Sequence, residues 1–128
     1  MGIQKMASLH ILVHESGSYD QRLLIEMLET LGCSKVDIAN SSGDIYESLA
    51  LMHYDLAFLN FQDPEEEILE IARHINRRWS GKEKPALIVA GIKEGDCIQS
   101  KYIKAGVNDF LTDPPILEGL LKVLSRRI

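Results

Sequence analysis

A short apolar run in the middle of the chain limits the folds that the sequence allows. Residues 56–59 are all apolar, and the ring of Phe61 follows just beyond Asn60. The run is too short for a free-standing amphipathic helix but has the length of a strand buried on both faces, as in a parallel sheet. It ends on a polar amide, Asn60, and then on Asp63 and Pro64, which suit the start of a helix. In an open α/β sheet, sites form at the carboxyl ends of central strands, so Asn60 marks the expected site.

The size of the chain and its charge exclude several classes of protein. With 128 residues it has room for one domain with a sizeable core, so we interpret residues 1–128 as a single domain. Residues 1–8 carry no structural pattern and are expected to be an unstructured leader. The net charge of -5 argues against direct binding to nucleic acid, because domains that bind its phosphate backbone are usually basic.

The compartment follows from the cysteines and from the hydropathy pattern. Cys33 and Cys97 lack the spacing of a metal site and indicate two reduced thiols, which are typical of a reducing compartment. No apolar run approaches the length of a membrane-spanning helix, and no signal-peptide core is present. We therefore expect a cytoplasmic protein without membrane contact.

Strand-like and helical patterns alternate along the chain. Apolar, β-rich runs predict five strands, near residues 10–15, 36–39, 54–60, 85–91 and 107–112. Helices are predicted after a capping box at Ser18–Gln21, after Ser41 or Ser42, after Asp63-Pro64, over residues 95–105 and after Asp113. This rhythm is typical of right-handed crossovers and a parallel sheet covered on both faces. The predicted fold is α/β, a three-layer α/β/α sandwich of the flavodoxin-like (βα)5 kind with a five-stranded parallel sheet in the order 2-1-3-4-5.

Three apolar side chains are expected to face the core on these helices. Met52 continues the helical spacing of Ile45 and Leu49, Ile98 precedes Tyr102 by one turn, and Ile116 begins the apolar stripe of the last helix.

The predicted strand order brings several polar residues to one edge of the sheet. The ends of the first and third strands meet at the switch point of this topology, and the fifth strand lies close by. His14, Glu15, Asn60 and Asp113 are therefore expected to converge on one shallow pocket.

Over nearly its full length the chain resembles the receiver domain (CheY-like) of two-component response regulators. Residues 54–64 look like the third strand of that family with its closing Pro, and residues 105–111 followed by Pro114 look like its fifth strand. The resemblance implies a role in phosphorelay signal transduction, with a sensor kinase, an output domain or another receiver as the protein partner.

The phosphorylation signature of the family is altered in this chain. The family ends its first strand with two acidic residues that hold Mg²⁺, where this chain has His14 and Glu15. Its phosphoacceptor Asp is replaced by Asn60, the hydroxyl residue after the fourth strand by Ala90, and the Lys before the Pro of the fifth strand by Asp113. The resemblance thus implies a degenerate phosphoacceptor pocket at these five positions, a pseudo-receiver.

Each replacement acts against phosphoryl transfer. An amide oxygen is a far poorer nucleophile than a carboxylate, and Mg²⁺ requires hard anionic oxygens. Exchanging Lys for Asp113 reverses a charge, which at ~4 Å and an effective dielectric of ~20 costs several kcal/mol for binding an anion. We expect phosphorylation-independent signalling and no cofactor, with Mg²⁺ needed only if the site works after all.

Other interpretations of the same residues remain open. Asp63 or Asp113 could serve as an unusual phosphoacceptor, and Asp113 could instead cap the last helix. His14, Glu15 and Asp113 could form a weak transition-metal or small-ligand sensor site. The sequence contains no nucleophile–base pair, P-loop or dinucleotide fingerprint, so we do not expect an enzyme.

A surface for protein contacts is expected on the fourth helix, fifth strand and fifth helix, where receivers often dimerise or meet output domains. Charged residues of both signs suit a self-complementary twofold contact and hence a homodimer. The expected interaction residues are Lys101, Lys104, Asp109, Glu118, Lys122 and Arg126.

Overall fold

The computed structural model describes residues 3–15, 21–93, 95–97 and 100–128. Five parallel strands form one sheet in the order β2-β1-β3-β4-β5, which confirms the predicted topology. The strands are β1 (His10–His14), β2 (Lys35–Ala39), β3 (Leu56–Asn60), β4 (Ala86–Ile92) and β5 (Asp109–Thr112). The helices are α1 (Ile3–Ser8), α2 (Arg22–Thr30), α3 (Ser42–Leu51), α4 (Glu65–Arg78), α5 (Ser100–Ala105) and α6 (Leu117–Ser125), with a 3₁₀ turn at Gly81–Glu83.

The apolar run at residues 56–59 lies in β3, the central strand of the sheet. All five residues of β3 are buried, and β3 pairs with β1 along one edge and with β4 along the other. Leu56 is the register partner of both Ile11 and Ala86. The continuous apolar pattern of β3 and β4 follows from this position, since helices cover both faces of a parallel sheet.

Successive residues of each strand face two separate cores, because side chains alternate along a strand. Ile11, Val13 and Phe58 pack with buried residues of α1, α2 and α6 on one face. Leu12 and Leu59 pack with buried residues of α3, α4 and α5 on the other. The three-layer α/β/α arrangement is therefore confirmed.

The expectation of an unstructured leader over residues 1–8 is wrong for residues 3–8, which form α1. Residues 1 and 2 lie outside the described part of the chain. A helix of this length is not stable in isolation. Met6 and the following Leu9 are nevertheless 7% and 4% exposed and belong to the core beneath α2 and α6. Packing against the sheet thus stabilises a helix that the local sequence pattern does not indicate.

Helix starts were predicted well where a side chain caps the helix. Ser41 is the N-cap of α3, and its hydroxyl accepts a hydrogen bond from the backbone N–H of Asp44 (3.1 Å), as expected. Of the expected capping box, only Gln21 is described, and it occupies the N-cap position of α2. The N-cap of α4 is Pro64 rather than Asp63.

Three details of the helical faces differ from expectation. Met52 follows the last residue of α3, where the backbone is extended, and is half exposed. Ile116 is the N-cap of α6 and 62% exposed, outside the apolar stripe that begins a turn later. The fifth helix begins only at Ser100, and Ile98 lies outside the described residues.

None of the helices in the described ranges is long and apolar enough to cross a bilayer.

Gly106 closes α5 in a conformation that favours glycine. Its φ is +114°, and the N–H of Val107 returns to the carbonyl of Tyr102 (3.0 Å), which ends the helix. A Cβ at this position would lie 2.5 Å from Nδ2 of Asn76, which itself donates a hydrogen bond to the carbonyl of Ala105 (3.1 Å). Both the backbone and the close approach of α4 therefore require glycine.

We predict that Gly106→Ala lowers the free energy of unfolding by about 2 kcal/mol or more, through left-handed strain and displacement of Asn76. The matched control is Gly43→Ala in α3, where the nearest atom to the new Cβ is Ser41 Oγ at 3.7 Å. That change should be neutral or stabilising by up to about 1 kcal/mol. Urea unfolding measures both, and equal effects of the two substitutions would contradict the assignment.

A hydrogen-bonded cluster joins β1, β2 and the segment before β3 at the amino edge of the sheet. The hydroxyl of Tyr54 donates to Oδ2 of Asp37 (2.7 Å), and Nε2 of His10 lies 2.7 Å from the same oxygen. The rings of His10 and Tyr54 stack at 4.2 Å. Burial and the hydrogen bond to Asp37 raise the pKa of Tyr54 to about 12, and the hydrogen bond from Tyr54 lowers the pKa of Asp37.

The raised pKa predicts how stability changes at high pH. A phenol with a higher pKa in the folded protein contributes stability that is complete below about pH 10 and is lost as the pH rises toward 12. We predict that Tyr54→Phe costs about 1 kcal/mol at pH 7, from the lost hydrogen bond. The difference in unfolding free energy between wild type and variant should shrink between pH 10 and pH 12. Urea unfolding across this range measures it, and parallel curves would contradict the prediction.

Candidate functional site

The carboxyl ends of β3 and β4 lie side by side, as the sequence predicted. Asn60 and Ala90 are register partners, and the N–H of Phe61 donates to the carbonyl of Ala90 (2.7 Å). Because partners in register project to the same face, the side chains of Asn60 and Ala90 lie on the side covered by α2 and α6. Two of the five expected pocket residues are therefore neighbours.

Asn60 is completely buried and only half satisfied. Its Oδ1 accepts a hydrogen bond from the backbone N–H of Gln62 (2.9 Å), and its carbonyl accepts one from the N–H of Asp63 (3.0 Å). Its Nδ2 makes no hydrogen bond within the described part of the chain. The amide oxygen thus shapes the turn after β3, whereas the amide nitrogen is a buried donor without an acceptor.

His14 ends β1 and contacts a residue that the sequence argument assigned elsewhere. Its Nδ1 lies 3.0 Å from Oδ2 of Asp63, with both side chains at most 5% exposed. This is within ion-pair distance, and Nδ1 makes no hydrogen bond with the described residues. Asp63 was expected to begin α4 or to accept phosphate, and pairing with His14 was missed because only the fold brings residues 14 and 63 together.

The alternation of β1 places His14 on the opposite face from Asn60. Val13 is the register partner of Phe58, and both face α2 and α6, so the next residue faces α3 and α4. Glu15 is half-buried, and its N–H donates to the carbonyl of Ala39 (2.9 Å). His14 and Asn60, two of the residues expected in one pocket, therefore project to opposite faces of the sheet.

Gln21 is a buried polar residue that the sequence argument did not assign to the site. Its Nε2 donates to the carbonyl of His14 (2.6 Å), which ties the start of α2 to the end of β1. The side chain is 1% exposed, and its Oε1 accepts no hydrogen bond from the described residues. No local signal distinguishes Gln21, because a glutamine before a helix is normally exposed.

Asp113 lies at the end of β5 and does not cap the last helix, whose N-cap is Ile116. Its N–H donates to the carbonyl of Ile92 (2.9 Å), and its Oδ2 lies 3.9 Å from Nζ of Lys93. Lys93 follows β4 and was missed by the sequence argument. The negative charge at this edge is therefore partly balanced by a neighbouring, mostly exposed cation.

The donor set of this region does not fit a metal ion. Within the described residues, no group of three or more His, Cys, Asp or Glu side chains is arranged to hold one. His14, Glu15 and Asp113, the candidates for a transition-metal or ligand site, are thus not assembled into a cluster. The side-chain oxygen of Asn60 is neutral and already accepts a hydrogen bond from Gln62, so it is a weaker ligand for Mg²⁺ than a carboxylate.

The expected interaction residues are mostly paired within the chain. Arg126 forms an ion pair with Asp109, Lys122 lies 3.8 Å from Glu118, and Lys101 lies 2.6 Å from Glu65. These exposed pairs satisfy locally the charges that were expected to meet a second copy. Fewer charged side chains are therefore available for the self-complementary twofold contact that the sequence predicted.

Comparison with known sequences finds relatives among sensor kinases, whereas no family model matches the chain. The chain is 27% identical over 125 residues to hybrid signal transduction histidine kinase K of Dictyostelium discoideum, covering 92% of this chain and 10% of that protein. It is 28% identical over 122 residues to the aerobic respiration control sensor protein ArcB of Escherichia coli, covering 91% of this chain and 15% of that protein. The chain thus corresponds to a small part of these relatives.

Comparison with solved structures finds receiver domains along nearly the whole chain. The receiver domain of sensor histidine kinase PA1611 from Pseudomonas aeruginosa, which holds a magnesium ion in its active site cleft, superposes with a TM-score of 0.74 at 22% identity, covering 92% of this chain and 95% of that one. A CheY-like receiver domain from Methylobacillus flagellatus superposes with a TM-score of 0.71 at 18% identity, covering 94% and 100%. The chain therefore has the fold of CheY-like receiver domains.

Proposed function

We propose that this chain is a pseudo-receiver, which takes part in signal transduction through protein contacts without being phosphorylated itself. The observation that supports this most is the state of Asn60, the last residue of the central strand. Its side chain is 0% exposed, and its oxygen is engaged by the N–H of Gln62. A neutral amide is a poor nucleophile, and a buried, bonded one is also out of reach of a phosphodonor.

The surroundings of Asn60 support the same proposal. Ala90 offers no hydroxyl beside it, and Asp113 supplies a carboxylate at the position where the family resemblance implies a lysine. His14 is engaged by Asp63 on the other face of the sheet. Within the described residues, no group of three or more His, Cys, Asp or Glu side chains is arranged to hold a metal ion such as the Mg²⁺ of phosphoryl transfer.

The partners that we propose are a sensor kinase, an output domain or another receiver, in the cytoplasm, with no catalytic activity of this chain's own. Its relatives are sensor kinases, in which a domain of this size is a small part. The contact surface that we propose consists of α5, β5 and α6. Ile103 and Ile116 are 59% and 62% exposed there, so apolar contact can act where the charges are already paired, including contact with a second copy.

A phosphoacceptor role for Asp113 is the second candidate, because Lys93 supplies a cation within 3.9 Å of its carboxylate. Asp63 is less suited to this role, since it is 8% exposed and paired with His14. Treatment with a phosphodonor distinguishes a pseudo-receiver from a phosphoacceptor at Asp113.

We predict that BeF₃⁻ or acetyl phosphate with Mg²⁺ leaves the amide NMR spectrum of the chain unchanged and adds no phosphoryl mass. The receiver domain of PA1611 serves as the positive control for the reagents, since its cleft holds magnesium. A Mg²⁺-dependent mass increase that Asp113→Asn abolishes would establish the second candidate. The same increase abolished by Asn60→Ala would contradict the pseudo-receiver proposal most directly.

We also predict that restoring the carboxylate alone is costly. Asn60→Asp places an uncompensated charge in a fully buried site and should lower the free energy of unfolding by at least about 2 kcal/mol at pH 8. Burial raises the pKa of such a carboxyl, so the loss should be smaller at pH 5, where it is neutral. Asn40→Asp, the same change at an exposed position, is the matched control and should be nearly neutral. Urea unfolding at both pH values tests this, and a stable Asn60→Asp variant at pH 8 would argue that the site tolerates charge.

A further inference from the structure

A groove between α4 and α5 concentrates positive charge on a chain whose net charge is -5. We call it the basic groove. Its lining residues are Arg73, Asn76, Arg77, Lys101, Lys104 and Ala105. None of them is acidic. A hydrogen bond from Nδ2 of Asn76 to the carbonyl of Ala105 (3.1 Å) links α4 and α5 within the groove.

The four cations of the basic groove are not equally compensated. Lys101 lies 2.6 Å from Glu65, and Arg77 lies 3.5 Å from Glu70, a carboxylate outside the lining. Arg73 and Lys104 are both exposed and form no ion pair with any described residue. Two positive charges of the groove are thus available to a ligand.

Helix dipoles explain only part of this arrangement. Cations stabilise the last turn of a helix, where Arg77 of α4 and Lys104 of α5 lie. Arg73 lies more than a turn before the end of α4, so the dipole of α4 does not account for it. No ion pair among the described residues accounts for the position of Arg73 in the groove either.

We infer that the basic groove binds a short acidic segment of a partner protein. Carboxylates complement the groove, and the planar guanidinium of Arg73 suits bidentate contact with one. An extended phosphate backbone would meet the acidic remainder of the chain, whereas a short peptide contacts only the groove. The inference does not depend on Asn60 or on whether the chain is phosphorylated, so either proposal can fail alone.

The test is an NMR titration of the ¹⁵N-labelled chain with a short, end-blocked peptide of alternating glutamate and alanine. We expect saturable amide shifts concentrated in residues 73–77 and 101–105, weakening as salt is added. The peptide with glutamine in place of glutamate should cause none. The double variant Arg73→Glu and Lys104→Glu should bind about tenfold or more weakly, since two exposed ion pairs become repulsive contacts.

The matched control is Lys5→Glu with Lys35→Glu, which changes the net charge equally at exposed positions outside the groove. This control should bind within about twofold of wild type, since distant exposed charges are screened. An equal loss in the two double variants would show general electrostatic attraction and overturn the proposal. Shifts spread over the whole surface, or none at all, would also overturn it. Arg73→Gln with Lys104→Gln provides a second groove variant whose fold is checked by its own spectrum.

Discussion

The burial of β3 on both faces and both edges is the constraint on which the rest of the structure depends. Its backbone groups pair with β1 and β4, and its side chains divide between two cores. Every group at its carboxyl end is therefore desolvated, and any polar atom there needs a partner inside the protein. The same burial that holds the sheet together makes a charge at this position expensive.

The two edges of the sheet meet this requirement differently. At the amino edge, His10, Asp37 and Tyr54 share hydrogen bonds, and the polar groups of the cluster satisfy one another. At the carboxyl edge, side-chain atoms of His14, Gln21 and Asn60 are buried without hydrogen-bond partners among the described residues. Buried polar atoms left unsatisfied are uncommon in native proteins and concentrate where a scaffold is shaped by function rather than by stability. The carboxyl edge therefore differs from the amino edge in leaving buried polar side-chain atoms of these three residues without a described partner.

The surface shows a similar division of roles. On β5 and α6, Asp109 pairs with Arg126 and Glu118 with Lys122, while Ile103 of α5 is an exposed apolar side chain. In the basic groove, Arg73 and Lys104 remain uncompensated. The first surface suits apolar contact and the second suits an acidic ligand.

The amino-acid sequence alone determined the fold class and the start of α3, because both rest on local patterns: the apolar run of β3, the alternation of strands and helices, and the capping side chain of Ser41. The strand order was expected because 2-1-3-4-5 is a common order for an alternating chain of this length. Tertiary structure alone decided the partners of the site. Asp63 reaches His14, and Lys93 reaches Asp113, because neighbouring strands of a parallel sheet are separated in sequence by whole helices. It also decided that α1 is helical, since a helix of this length is stable only where the sheet buries Met6. Local patterns are short in range, whereas burial and ion pairing act between residues that only the folded chain brings together.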